Sequence, residues 1–142
     1  MNTKRIGTLQ ELLPLARGNK KVVAIAAAED DTVLKAAQKA YEHGIADFIL
    51  FGDPEKIRSI AQDEGIDVSS FQIVSAFRPE EAGYMAVKSV FEQTAHTVMK
   101  GNIKTADLLK TILKDEFGLK TDRTMSLVAV FEIPDFERLL VI

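Results

Sequence analysis

Lys21-Val22-Val23-Ala24-Ile25-Ala26-Ala27-Ala28 is apolar at every position after the first, and three of its residues are β-branched. A surface helix would interrupt such a run with polar residues at each turn, and a strand with one wet face would alternate. A strand covered on both faces does neither, so the run predicts an interior strand of a parallel sheet. Glu29-Asp30-Asp31 follows at once. Asp30 or Asp31 is suited to cap a helix by accepting hydrogen bonds from its first amides. Val33, Leu34, Ala37 and Tyr41 then recur at helical spacing, and Gly44 stands where a left-handed residue closes a helix. Strand, acidic cap and helix in this order open a β-α-β unit.

The same rhythm continues downstream. Residues 45–51 (IADFILF) read as a second strand, and Gly52-Asp53-Pro54 supplies a turn, a cap and a proline at the first helical position. That helix carries Ile57, Ile60 and Ala61 to Gly65. Residues 71–74 form a shorter third strand, and Pro79 begins a helix bearing Ala82, Met85, Ala86, Val90 and Phe91. A strand over 96–99 precedes a helix over 105–113, with Gly118 past its end. Upstream, Leu9, Leu12, Leu13 and Ala16 predict a helix stopped by Gly18. The alternation predicts an α/β three-layer sandwich with a mostly parallel sheet. A strong strand over 126–133 (SLVAVFEI) and another over 138–142 are separated only by Pro134-Asp135-Phe136-Glu137, which predicts a hairpin. No internal repeat or low-complexity tract divides the chain, so residues 1–142 read as a single α/β domain. The final Leu139-Leu140-Val141-Ile142 carries no polar residue, as expected of a strand that continues into something longer.

Composition narrows the chemistry. The net charge of -3 and pI near 5.4 impose no basic face, so nucleic acid is not an expected partner. The absence of cysteine excludes disulfides, thiolate catalysis and cysteine-based zinc sites. Charges interrupt every apolar stretch before it reaches membrane-spanning length, and the first residues lack a signal-peptide core, so a cytoplasmic setting without a membrane partner is expected.

In open α/β sheets, ligands sit beyond the carboxyl ends of the parallel strands. Three such ends stand out: Ala28-Glu29-Asp30-Asp31, Phe51-Gly52-Asp53 and Met99-Lys100-Gly101. The last leads through Asn102-Ile103-Lys104 into a helix beginning at Thr105. Glycine lets backbone approach a ligand, and a helix start attracts anions through its free amides. Lys100, Gly101, Lys104 and Thr105 are therefore candidate phosphate-binding residues. Equally, Gly101 could be an ordinary turn glycine and Thr105 a plain N-cap between solvated lysines. Neither Walker A nor Gly-x-Gly-x-x-Gly spacing occurs.

Glu29, Asp30 and Asp31 could hold magnesium or move a proton, although helix capping accounts for at least one of them. Asp53, with Asp30, Asp31 and Lys100, has the makings of a phospho-receiver site, against which Pro54 and the cap position argue for a structural role. Ser126 could offer its hydroxyl to a ligand or simply mark a strand entrance. His43 and His96 are far apart, and His43 suits a helix C-terminus. No metal-spaced set and no nucleophile-base-orienter set is visible.

Four segments in this order also carry a family resemblance: VAIAAAED (23–30), ADFILFGD (46–53), MKGNIKTADLL (99–109) and VAVFEIP (128–134). Over nearly its whole length the chain resembles the N-terminal half of phosphate acetyl/butyryltransferases, most closely the phosphate butyryltransferase branch. The resemblance implies reversible acyl transfer between coenzyme A and inorganic phosphate, with coenzyme A a substrate and no covalently bound cofactor. It implies a fold like that of isocitrate and isopropylmalate dehydrogenases, with two α/β domains across a cleft and usually a dimer. It places the segment from Lys100 to Asp107, together with Glu29 and Ser126, at that cleft as phosphate- or CoA-binding residues.

It also places the principal catalytic acid-base and a phosphate-binding arginine in the later half, which lies outside this sequence. On this reading the chain is the N-terminal domain of a two-domain acyltransferase. Leu127 departs from the polar residue, often histidine, that the butyryl branch carries there. The alternative function is a non-catalytic domain that binds an anion, acyl-CoA or a partner protein.

Overall fold

The computed structural model describes residues 6–18 and 20–142. Four parallel strands form its centre: β1 (Lys21–Ala26), β2 (Ala46–Gly52), β3 (Gln72–Ser75) and β4 (Thr97–Lys100). Their order across the sheet is β3-β2-β1-β4. The apolar run at 21–28 thus lies at the interior of the sheet, as its composition requires. Ala24 and Ala26 belong to the core on one side and Ile25 to the core on the other, and all three are fully buried.

Helices connect the strands. A 3₁₀ turn (Gln10–Leu12) and a short α1 (Leu13–Ala16) lead into β1. Helix α2 (Asp31–Glu42) joins β1 to β2, and α3 (Pro54–Asp63) joins β2 to β3. Their Leu34, Ala37, Ile57 and Ala61 cover one face with Phe48, Leu50 and Phe71. Helix α4 (Pro79–Phe91) returns across the opposite face to β4, and α5 (Thr105–Ile112) packs beside it. Ala82, Ala86, Val87, Leu108 and Phe117 form that second layer. The result is an α/β/α sandwich. Fully buried side chains such as Ile25, Leu34, Leu50 and Ile57 each contribute about 1.5–3 kcal/mol of transfer free energy.

The local cap chemistry holds up well. Asp30 accepts from the Val33 amide at 2.9 Å, and Asp53 accepts from Glu55 and Lys56 with Pro54 at the first helical position. Gly44 and Gly65 take left-handed backbone just past α2 and α3. Thr105 is different: it is the first helical residue, Lys104 occupies the cap position, and no side chain caps the helix. The helix expected over 9–16 is split into the 3₁₀ turn and α1, with no buried residue in either. Gly118 closes a separate 3₁₀ turn (Asp115–Phe117) rather than α5.

The strand expected over 126–133 is corrected more strongly. Only β5 (Val130–Phe131) is regular, and it pairs antiparallel with β6 (Leu140–Val141) in a sheet of its own. Ala129 and Ile142 extend the pairing with two backbone bonds of 2.8 and 2.9 Å. The hairpin is as expected, turning through Pro134 and a left-handed Asp135, with the Phe136 amide donating to the Ile133 carbonyl. What shortens it is the lack of a third strand or a covering layer, since a two-stranded ribbon is marginal alone. Leu127 is 86% exposed and Ile142 72%.

Candidate functional site

The strand order identifies the crevice. The chain moves from β1 to β2 to β3 in one direction, then returns to place β4 on the other side of β1. The connections part between β1 and β4, and at such a switch point the carboxyl ends leave room for a ligand. The residues there are Ala26 to Asp30 on one side and Lys100 to Thr105 on the other.

The β4 side is tied down by backbone. The Gly101 amide donates to the Ala26 carbonyl at 2.9 Å, and the Asn102 amide to the Ala27 carbonyl at 2.6 Å. The Ile103 amide donates to the Gly101 carbonyl at 2.9 Å. A Cβ at residue 101 would collide with the Ala27 carbonyl oxygen and stand 2.8 Å from that of Ala26. Gly101 is therefore required by the close approach of β1, and its amide faces inward. The expectation that this glycine opens backbone to a ligand is corrected accordingly.

What remains open lies one step further on. The amides of Thr105 and Ala106, in the first turn of α5, have no hydrogen-bond partner among the described residues. Lys104 is exposed and makes no ion pair among the described residues, while Lys100 donates to the Gly101 carbonyl at 3.3 Å. The starts of α4 and α5 border a shallow hollow of about 310 Å³, lined by Pro79, Glu80, Asn102, Ile103, Lys104 and Asp107. Of its lining, Lys104 is the attractive group for an anion, and Glu80 and Asp107 oppose it; Thr105 and Ala106, whose amides are free, are not among the lining residues.

On the β1 side, Glu29 accepts the Asp53 amide at 2.7 Å, which fixes its carboxylate over the end of β2. Glu29, Asp30 and Asp31 border a second hollow with Ile60, Asp63 and Glu64. Four of its five acids already have partners among the described residues, Asp63 being the exception. Asp30 caps α2, and Asp31 accepts from Lys35 at 3.1 Å, a bond that holds its carboxyl below the usual range. Lys35 is raised by its hydrogen bonds to Glu64 and then Asp31, and so links α2 to α3. Asp67, remote from this edge, is lowered by Ser69. Among the described residues no group of three or more His, Cys, Asp or Glu could hold a metal. Asp53 spends its carboxylate on the α3 amides, which supports its structural reading over a phospho-receiver role.

Ser126 stands apart from these residues, exposed in the irregular stretch before β5 and without a hydrogen bond to the sheet edge. His43 is the C-cap of α2, as its position implied. His96 has a role that sequence reading missed: its Nδ1 accepts the Val22 amide at 3.0 Å at the opposite end of β1. Ala27 was missed too. It has φ +59 at 1% exposure, and nothing in an alanine run signals that. No described helix is long and apolar enough to cross a membrane.

Residues 8–100 match the family model described as phosphate acetyl/butaryl transferase. A phosphate acetyltransferase from Thermotoga maritima is 42% identical over 134 residues, covering 94% of this chain and 45% of the relative. A phosphate butyryltransferase from Clostridium acetobutylicum is 48% identical over 120 residues, covering 84% and 40%. The chain thus spans less than half the length of these curated relatives. Among solved structures, a branched-chain phosphotransacylase from Enterococcus faecalis superposes with a TM-score of 0.66 at 25% identity, over 85% of this chain and 41% of that one. A phosphotransacetylase from Staphylococcus aureus gives 0.64 at 19% identity, over 85% and 46%, and shares the fold.

Proposed function

The chain belongs to the phosphate acetyl/butaryl transferase family, and on that premise we propose that it is one α/β unit of a two-domain acyltransferase. The reaction moves a short-chain acyl group, butyryl or acetyl, between coenzyme A and inorganic phosphate. The observation that carries this reading is the family match running through β4, whose end delivers the chain to Lys104 and the unpaired amides of α5.

In the direction of acyl-CoA synthesis, the coenzyme A sulfur adds to the carbonyl carbon of an acyl phosphate. The carbon–oxygen bond to phosphate then breaks, and the thiol proton passes to a base. Lys104, Thr105 and the Thr105 and Ala106 amides receive the phosphate, with Lys100 beside them, because negative charge gathers on its oxygens as it leaves. Glu29, an acceptor, suits a donor on coenzyme A better than an anion. Ser126 contributes only where the hairpin is brought to this edge. The base and the arginine implied by the resemblance come from outside these residues. A cytoplasmic setting and a homo-oligomer, as in dimeric members, complete the proposal.

Inorganic phosphate titrated into the nitrogen-labelled chain is expected to shift the Thr105 and Ala106 amides, and Lys104→Ala with Thr105→Ala to abolish the shift. Silence at those amides in the parent chain would remove this turn from the mechanism. With butyryl-CoA and phosphate, the chain alone is expected to release no thiol. Sustained turnover would overturn the assignment of the base to residues outside it. The second reading, a non-catalytic binding domain, predicts the shifts without turnover under any complementation.

A further inference from the structure

Among the described residues, three other than glycine have positive φ: Ala27, Gln93 and Asp135. Gln93 and Asp135 lie in exposed turns, whereas Ala27 is in the core, beside Ala24 and Ala26. A residue with a Cβ resists left-handed backbone, so the surroundings must hold it there. The consequence is geometric. After Ala26, which stands opposite Lys100, the ladder stops and the chain swings its next carbonyl toward β4. That carbonyl takes the Asn102 amide and lies against the bare Cα side of Gly101.

We propose that Ala27 is the positioning residue of the turn between β4 and α5, acting through its carbonyl on Asn102. The inference rests on the reading of that turn as anion-facing. Two anchors set where Lys104 and the free amides point. One is the Asn102 amide on Ala27. The other is Ile103, buried against α4, where the absence of a side chain on Gly83 gives its Cδ1 room. Glycine at this position would relieve the left-handed strain but would also open a wider range of backbone conformations, whereas the buried Ala27 methyl, held by the core around it, narrows where its carbonyl points.

The test reads amide exchange and phosphate binding on the same labelled chain. In Ala27→Gly, exchange at Asn102 is expected to quicken about tenfold, with Ala24 and Ile25 still protected as in the parent. Phosphate affinity read at Thr105 and Ala106 is expected to fall at least about threefold, with the melting temperature little changed. Ala27→Val, whose branched side chain refuses left-handed backbone, is expected to lose more on both measures. Parent-like Asn102 protection together with parent-like phosphate affinity in Ala27→Gly would overturn the proposal, whatever Ala27→Val does. If the parent shows no phosphate response, the anion reading fails; the positioning role then stands or falls on Asn102 exchange alone.

Discussion

The carboxylate of Glu29 closes over the backbone of Gly52. One oxygen takes the Asp53 amide at 2.7 Å, and a Cβ on residue 52 would stand 2.7 Å from the other. The end of β2 therefore needs glycine because a side chain from the end of β1 lies across it. Gly52→Ala is expected to cost about 1–3 kcal/mol, the usual range for overpacking a filled site. The obstacle is a flexible side chain, so Glu29→Ala should recover part of that loss in the double variant. Urea denaturation of the four proteins in the cycle measures the coupling, and additive effects would refute the contact.

Gly101→Ala is a harsher change, because its obstacles are the carbonyl oxygens of Ala26 and Ala27 and neither can swing aside. Destabilisation at or beyond about 3 kcal/mol is expected, the upper end for an added methyl in a packed interior. Amide exchange of β1 and β4 should rise together, since the new methyl drives apart the strands that Gly101 now lets meet. A stable, well-ordered Gly101→Ala protein would contradict the close approach.

Much of this architecture is written in local chemistry, and that part reads correctly from the chain. Asp53 followed by Pro54 is a cap and a helix start wherever it occurs, and Gly44 and Gly65 end helices because their own backbone permits it. The interior position of β1 follows from residues 22–28 alone. The end of β1 does not, because the left-handed turn at Ala27 is held by Gly101 and Asn102, which lie far along the chain. For the same reason Gly101 invites a ligand-facing reading in sequence, where its neighbour from β1 cannot be seen. The apolar run at 126–133 states a demand for burial but not what supplies it, so a strong strand was expected where only Val130 and Phe131 pair regularly.

The Asp31–Lys35–Glu64 group gives the fold a readable acid limb. The hydrogen bond from Lys35 lowers the Asp31 carboxyl below its ordinary 3.8, so the folded chain holds this proton less tightly than the unfolded one. Its contribution is present at neutral pH and is lost as the pH falls below about 4 through the lowered value. Lys35 is raised, so its share is present at neutral pH and fades only on the alkaline side, above its ordinary 10.5. All three side chains are well exposed, so the effect is small and screened by salt. Melting temperatures measured from pH 7 down to pH 3 should converge for the parent and Asp31→Asn as acid is added. A gap that widens in acid would show that the pair is not what Asp31 contributes.

The hairpin joins no strand of the main sheet, and its side chains belong to neither buried core. Its link to the rest includes the Leu9 amide donating to Glu132 at 2.8 Å, and that partner is itself in an exposed segment. Deleting residues 127–142 is therefore expected to leave the sandwich folded, with native amide dispersion for β1 to β4 and a stability change of no more than about 1 kcal/mol. Solubility should improve, because Leu127, Val128, Val141 and Ile142 are removed from the surface. Loss of cooperative unfolding in the shortened chain would mean that the ribbon supports the sheet through contacts other than strand pairing, and that the α/β unit extends beyond α5.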